Sequence, residues 1–252
     1  MIHDTLDRWF HDDAVTVLFQ PIVQTDASLA LHSVEALTRG PRGTQFEDAG
    51  VFFEYLRQTK QEIRADRRCV AAAIKAVAEH GGVEHVSINI HPTTLERDTQ
   101  FAGFLESVLA RESFDAHRIT LEIIEESRYW SSQALGAAVQ DVRSLGVTIA
   151  LDDVGVGRCN YRTILDVAPD VLKIDRCFID GCAGDVRRRA IVDSIRRLAS
   201  DIGAVVVAEG VEREEDFAVV RELRIPYAQG YLFSRPRPLA EVIPPYKQLI
   251  TA

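Results

Sequence analysis

The sequence predicts an α/β chain closed into a modified TIM (β/α)8 barrel whose first strand runs antiparallel to the rest. Three observations carry that reading. Eight short apolar, β-branched runs alternate with helical patterns from about residue 14 onward, and no Pro/Ser-rich linker or low-complexity segment interrupts them. Polar groups stand where several of those runs stop: Asn89 after Val86-Ser87-Ile88, Glu122 in Ile119-Thr120-Leu121-Glu122-Ile123-Ile124, Asp152-Asp153 after Thr148-Ile149-Ala150-Leu151, Lys173 in Val171-Leu172-Lys173-Ile174, and Glu209 after Val205-Val206-Val207-Ala208. A closed barrel collects its strand ends on one face, so groups far apart in sequence converge there. The third observation is the link between the first two runs. It is about a dozen residues long, contains Gln24-Thr25-Asp26-Ala27-Ser28 and shows no helical pattern, which suits an antiparallel hairpin rather than a parallel crossover.

In order, the strands are expected at 14–18, 31–37, 86–90, 119–123, 148–151, 171–174 and 204–208, with a weak eighth near 226–229. Helices fit between most of them, at 61–79, 101–111, 131–145, 185–202 and 214–223. Gly81-Gly82, Gly146 and Gly203 fall just past helix ends, where a left-handed C-cap favours glycine. Asp185 precedes Val186-Arg187-Arg188-Arg189 and is placed to N-cap a helix with a basic, solvated face.

At 252 residues with 46% hydrophobic content, the chain suits one large core, and a single barrel domain over 1–252 with its core at about 14–238 is expected. A net charge of −9 argues against a surface for nucleic-acid polymers, which needs many cationic contacts to phosphates. A small anionic ligand is compatible with it if metals and a few local cations neutralise the charge. The first ten residues lack the basic start and apolar middle of a secretory signal, and no stretch approaches the roughly 20 apolar residues of a membrane span. Cys69, Cys159, Cys177 and Cys182 form no Cys-x-x-Cys pair and suggest no disulfide framework. The expectation is a cytoplasmic protein with reduced thiols and no membrane association.

Four acids, an amide and a lysine at the strand ends make a metal site for a phosphate substrate plausible. Any one of Glu35, Glu122 or Glu209 alone reads as a surface or paired acid. Lys173 is different, because an ammonium between Leu172 and Ile174 in a strand is costly without anionic partners. Asp175 and Glu212 read as hydrogen-bonding or salt-bridging groups, and the seven histidines are dispersed without zinc-like spacing.

Taken in order, Gln20-Pro21-Ile22, Glu35-Ala36-Leu37-Thr38-Arg39, Ser87-Ile88-Asn89, Leu121-Glu122-Ile123-Ile124-Glu125, Asp152-Asp153-Val154-Gly155-Val156-Gly157, Leu172-Lys173-Ile174-Asp175-Arg176, Val207-Ala208-Glu209-Gly210-Val211-Glu212 and Tyr227-Ala228-Gln229-Gly230-Tyr231-Leu232-Phe233 closely resemble the EAL-domain family of cyclic di-GMP phosphodiesterases. A lone Glu-Ala-Leu would mean nothing, whereas these motifs match in order and approximate spacing over nearly the whole chain. The resemblance implies hydrolysis of one phosphodiester of cyclic di-GMP to linear pGpG by two divalent cations, Mg²⁺ or Mn²⁺.

It further implies roles. Glu35, Asn89, Glu122 and Asp152 would hold one metal; Asp152 would bridge to a second, which Asp153 helps to hold, with Glu209 nearby as a ligand or water-binding acid. Lys173, Glu209 and Asp153 would take part in the chemistry, Lys173 by contacting the attacking water or the scissile phosphate. Arg39 would grip a substrate phosphate through its planar fork, and Gln20, Leu37 and Gln229 would line the substrate groove. Glu125 would support the loop after the Asp-Asp pair. Family members commonly dimerise, so a homodimer is expected.

Two segments depart from the family pattern. Where the family reads approximately Phe-Gly-Thr-Gly-Tyr-Ser-Ser, this chain has Val154-Gly155-Val156-Gly157-Arg158-Cys159-Asn160, which keeps both glycines but loses the threonine hydroxyl and two rings. Within 43–63 the Phe-Ile-Pro-x-Ala-Glu-x-x-Gly pattern is barely visible in Val51-Phe52-Phe53-Glu54-Tyr55-Leu56-Arg57-Gln58-Thr59-Lys60. A weakly active or inactive module that binds cyclic di-GMP or a protein partner is therefore the alternative reading. An unrelated metal-dependent barrel enzyme, such as an enolase-type proton abstractor, shares the carboxylates but not the ordered motifs.

Overall fold

The computed structural model describes residues 9–10, 15–124, 132–156 and 161–247. Eight strands close in sequence order: β1 (Val17–Gln24), β2 (Leu31–Thr38), β3 (Val86–Ile90), β4 (Ile119–Ile123), β5 (Thr148–Val154), β6 (Val171–Ile174), β7 (Val205–Ala208) and β8 (Tyr227–Ala228). Strand β1 pairs antiparallel with both β2 and β8, and every other neighbouring pair is parallel. The short link between the first two runs is thus a hairpin, as its length requires.

The helices, in chain order, are α1 (Ala49–Gln58), α2 (Glu62–His80), α3 (Pro92–Arg97), α4 (Phe101–Glu112), α5 (Ser132–Arg143), α6 (Tyr161–Val167), α7 (Arg176–Ile179), α8 (Val186–Ile202), α9 (Glu214–Glu222) and α10 (Leu239–Lys247). Asp185 caps α8 by accepting from the amides of Arg187 and Arg188 at 2.8 and 3.4 Å, and Gly203 ends it in the left-handed conformation. One hydrophobic core joins strands and surrounding helices, from Val34 and Ile74 to Val206 and Val242. A second, smaller cluster of Trp9, Phe10, Phe46, Phe52, Leu56, Ala65 and Cys69 lies under α1 and pins that helix beside the end of β2.

The first strand lies several residues beyond the expected 14–18. Pro21 reads as a strand breaker because it has no amide proton. In the barrel it pairs with Val34 and sits between two contacts on its other edge, the Phe19–Arg237 bridge and the Val23–Ala228 pair. Phe19 donates to and accepts from Arg237 on that edge, so by alternation the Pro21 nitrogen faces it too, where no ladder bond is lost. Strand β5 also runs longer than expected. Asp152 and Asp153 do not follow the strand but lie within it, at a register irregularity between Leu151 and Val154, and Asp153 has a φ of +52°. Aspartate tolerates this left-handed conformation better than most residues, and the bulge re-aims its side chain. Val154 then rejoins the sheet opposite Ile174 and is buried, so it belongs to the core rather than to a loop.

Candidate metal centre

The groups expected at the strand ends converge on the C-terminal mouth of the barrel, around Lys173. Its ammonium, on β6, is 1% exposed and lies 2.6 Å from Glu122 Oε2, 2.6 Å from Glu209 Oε1, 3.2 Å from Asp152 Oδ1 and 3.7 Å from Glu35 Oε2. Those partners come from β4, from the turn after β7, from β5 and from β2. No isolated strand could hold such a lysine; closure of the barrel supplies the anions that its burial needs.

Four carboxylates around one ammonium leave an excess of negative charge. Burial pushes the Glu122 carboxyl up to about 8 against the pull of Lys173, with Glu35 and Asp152 adding to the rise. Burial and the neighbouring Asp152 push Asp153 up to about 7. Glu209 moves the same way, well above the ordinary glutamate value, through burial and Asp152. For Lys173 burial acts downward, yet Asp152, Glu122, Glu209 and Glu35 together hold it well above the usual lysine range.

Amides complete the ring. Asn89 Nδ2 donates to Glu35 Oε1 at 2.8 Å, and Gln229 Nε2 donates to Glu35 Oε2 at 2.6 Å and to Gln20 Oε1 at 2.9 Å. Gln20 in turn donates to the Ser234 carbonyl at 2.9 Å. Among the described residues, the buried oxygens Asn89 Oδ1 and Gln229 Oε1 accept no hydrogen bond, and the only partner of buried Asp152 Oδ1 is the Lys173 ammonium. Asp152, Asp153 and Glu209 each offer a carboxylate oxygen, and the three lie within 4.8 Å of one another. An all-oxygen donor set with surplus negative charge and unbonded buried acceptors fits a hard divalent cation.

Two cavities flank the cluster, and Leu37 borders both. One, about 280 Å³, is lined by Arg39, Asn89, His91, Phe53 and Ile124 among others, and places Arg39 on the β2–β3 side. Among the described residues, the Arg39 guanidinium makes only long contacts, to the Leu37 and Thr38 carbonyls at 3.4 and 3.5 Å. The other, about 240 Å³, is lined by Gln20, Glu209, Gln229, Asp175, Arg176 and Tyr231 among others. Every expected site residue therefore borders this mouth except Glu125, which lies outside the described residues, as does Cys159.

Sequence reasoning missed a support behind Asn89. Buried Asp66 on α2 accepts from the His91 amide at 2.9 Å, from His91 Nδ1 at 2.8 Å and from the Thr94 hydroxyl. It clamps the turn between β3 and α3, two residues beyond Asn89. The only signal in the sequence is an acid among the small and apolar residues Ala65, Cys69, Val70 and Ala73 of one helix face.

An EAL domain profile matches residues 3–236. The chain belongs to the EAL domain family. Among solved EAL domains, a standalone versatile EAL protein from Vibrio cholerae O395 in its c-di-GMP-bound form is 27% identical, with a TM-score of 0.78 over 90% of this chain and 93% of that one. The PaMucR phosphodiesterase, in a c-di-GMP complex, has a TM-score of 0.84 over 96% of this chain and 98% of that one at 24% identity, and shows the same barrel. A probable cyclic di-GMP phosphodiesterase from Escherichia coli K12, PdeA, is 30% identical over 193 residues, which cover 75% of this chain and 26% of PdeA. The EAL domain described here spans less than a third of the length of the curated relatives it matches. Among its described residues, no helix is long and apolar enough to cross a membrane.

Proposed function

We propose that this EAL domain is a metal-dependent phosphodiesterase that hydrolyses cyclic di-GMP to linear pGpG. The observation that carries this reading is the buried Lys173 ringed by Glu35, Glu122, Asp152 and Glu209 at the C-terminal mouth, with Asn89 Oδ1 and Gln229 Oε1 beside it left without a donor among the described residues. Glu35, Asn89, Glu122 and Asp152 would hold one Mg²⁺ or Mn²⁺, and Asp152, Asp153 and Glu209 a second. When bound, such ions activate the attacking water and neutralise charge on the phosphoryl oxygens.

The chain's own groups supply the rest. Lys173 brings a permanent positive charge to the scissile phosphate and keeps the surrounding carboxylates together. Arg39 takes a phosphate oxygen from the β2–β3 side, Leu37 forms the apolar ridge between the two cavities, and Gln20 and Gln229 offer amides to the ligand, Gln229 fixing Glu35 and Gln20 accepting from Gln229. Glu209, at the edge of the cluster, orients water.

The EAL domain is read as one barrel that works as a homodimer in the cytoplasm. Support for pairing comes from Tyr161 and Leu165, one turn apart on α6 and 75% and 73% exposed. Free thiols at Cys69, Cys177 and Cys182 suit a reducing compartment. One observation favours a second reading, a c-di-GMP receptor without turnover: Val156 stands where the family has a hydroxyl, in the turn closed by the Val156 amide on the Asp153 carbonyl at 3.1 Å. Incubating the protein with cyclic di-GMP and Mn²⁺ or Mg²⁺, beside an EDTA control, separates the two. Metal-dependent pGpG on chromatography supports the enzyme, and intact nucleotide bound after long incubation supports the receptor.

A further inference from the structure

The cavity on the Gln20–Gln229 side carries a cation that the proposed hydrolysis does not use. Arg176 opens α7, three residues after Lys173, and is 54% exposed along the cavity wall. Two features hold it there. Its aliphatic stem crosses Gly210, where a Cβ would stand 2.4 Å from Arg176 Cγ and 2.5 Å from Arg176 Cβ, and Gly210 has a φ of +62°. Its Nη1 lies 3.1 Å from Glu212 Oε1. Glycine at 210 thus lets the arginine lie close, and Glu212 fixes the direction of the fork while leaving other N–H groups for a ligand.

The same cavity is walled by Tyr231, 45% exposed, with the Arg235 guanidinium 4.2 Å from its ring centroid. An aromatic face beside a planar, oriented guanidinium is a combination suited to a purine. The two acceptors on one edge of guanine, O6 and N7, match an arginine fork, whereas adenine presents a donor at N6 in place of O6. We propose that Arg176 reads the guanine of the half-substrate lying on the Gln20–Gln229 side, with Glu212 as its positioning residue. This inference rests on the cyclic di-GMP reading of the site.

The test compares wild type, Arg176→Ala, Arg176→Lys and Glu212→Gln in steady-state kinetics, with cyclic di-AMP as the competing nucleotide. Arg176→Ala is expected to raise KM for cyclic di-GMP about 10- to 100-fold, the worth of a lost bidentate base contact. It should leave kcat within a few-fold and weaken discrimination against cyclic di-AMP. Lysine, which keeps the charge but not the fork, should restore only a small part, and Glu212→Gln should give a smaller KM rise. Arg176→Gln, which retains a polar stem, replaces the alanine variant if that one does not fold. An unchanged KM, or full rescue by lysine, overturns the assignment while the phosphodiesterase reading stands. A wild type that neither binds nor cleaves cyclic di-GMP overturns that reading and this inference with it.

Discussion

Lys173 has four carboxylates as neighbours and almost no contact with solvent, so its replacement has two separable effects. Lys173→Ala leaves buried acids without their cation, which costs about 3–5 kcal/mol of stability at neutral pH. Added Mg²⁺ should recover much of that loss, because divalent cations neutralise the same oxygens. Turnover should nonetheless fall about 10²- to 10³-fold even with saturating metal, the usual cost of losing a preorganised charge. Thermal unfolding with and without Mg²⁺, beside kcat, checks both parts; an unchanged kcat would refute a role in chemistry. Glu35→Ala or Asp152→Ala should instead abolish turnover at every metal concentration. Residues of this kind were legible in the sequence because an ionisable group in or beside an apolar β-branched run is an anomaly that burial must explain. Asp66 was not. Its meaning depends on His91 and Thr94, 25 and 28 residues away, and only packing of α2 against the end of β3 brings them together.

Elements position these residues by a few specific contacts. Asp66→Ala removes the acceptor for two donors of His91 and for Thr94, so a loss of about 3–5 kcal/mol is expected in urea unfolding. The KM for metal should rise as well, since the turn it holds begins two residues past Asn89. Gly230 is a second constraint: a Cβ there would stand 2.0 Å from the Val211 carbonyl oxygen. Gly230→Ala must therefore push β8 and the strand-end turn of β7 apart, moving Gln229 off Glu35, and should both destabilise the fold and depress activity. Strands β3, β4 and β6 could be read to the residue because they are central and parallel, with one face wholly apolar and the other carrying polar groups that are largely buried. Strand β1 could not, since the permissive edge at Pro21 exists only in the closed sheet. Helix α1 was also hidden. Its register comes from Asp48, whose side chain accepts from the Val51 amide at 3.0 Å, and from packing of Phe52 and Leu56 into the small cluster beneath it.

At the scale of the whole molecule, the excess of acids makes stability depend on protons, and the proposed metals would compete with those protons. Glu122 moves from 4.5 to about 8 and Asp153 from 3.8 to about 7 on folding. The folded protein therefore holds protons that the unfolded chain releases. That contribution is fully present below about pH 4 and is lost as pH rises through about 7–8. EDTA-treated protein should accordingly lose stability between pH 5 and 8 from this site, and saturating Mg²⁺ should flatten the slope by replacing the protons. Denaturant titrations across that range test it, and an equal slope with and without Mg²⁺ would count against the metal assignment. The barrel itself was legible from strand count, hairpin length and the place of the acids, whereas the two cavities and their opposed arginines depend on three-dimensional closure.

Lys173 also bears on how the protein comes to exist. A centre built from acids alone would rely on bound ions or protons to hold the strands together, and folding would suffer wherever divalent ions ran short. With an ammonium already tethered at the middle, the chain can finish folding first and acquire ions afterwards. On the metal-dependent reading proposed above, supply of those ions would then set what fraction of the molecules is active at a given moment, while the number of molecules stays the same.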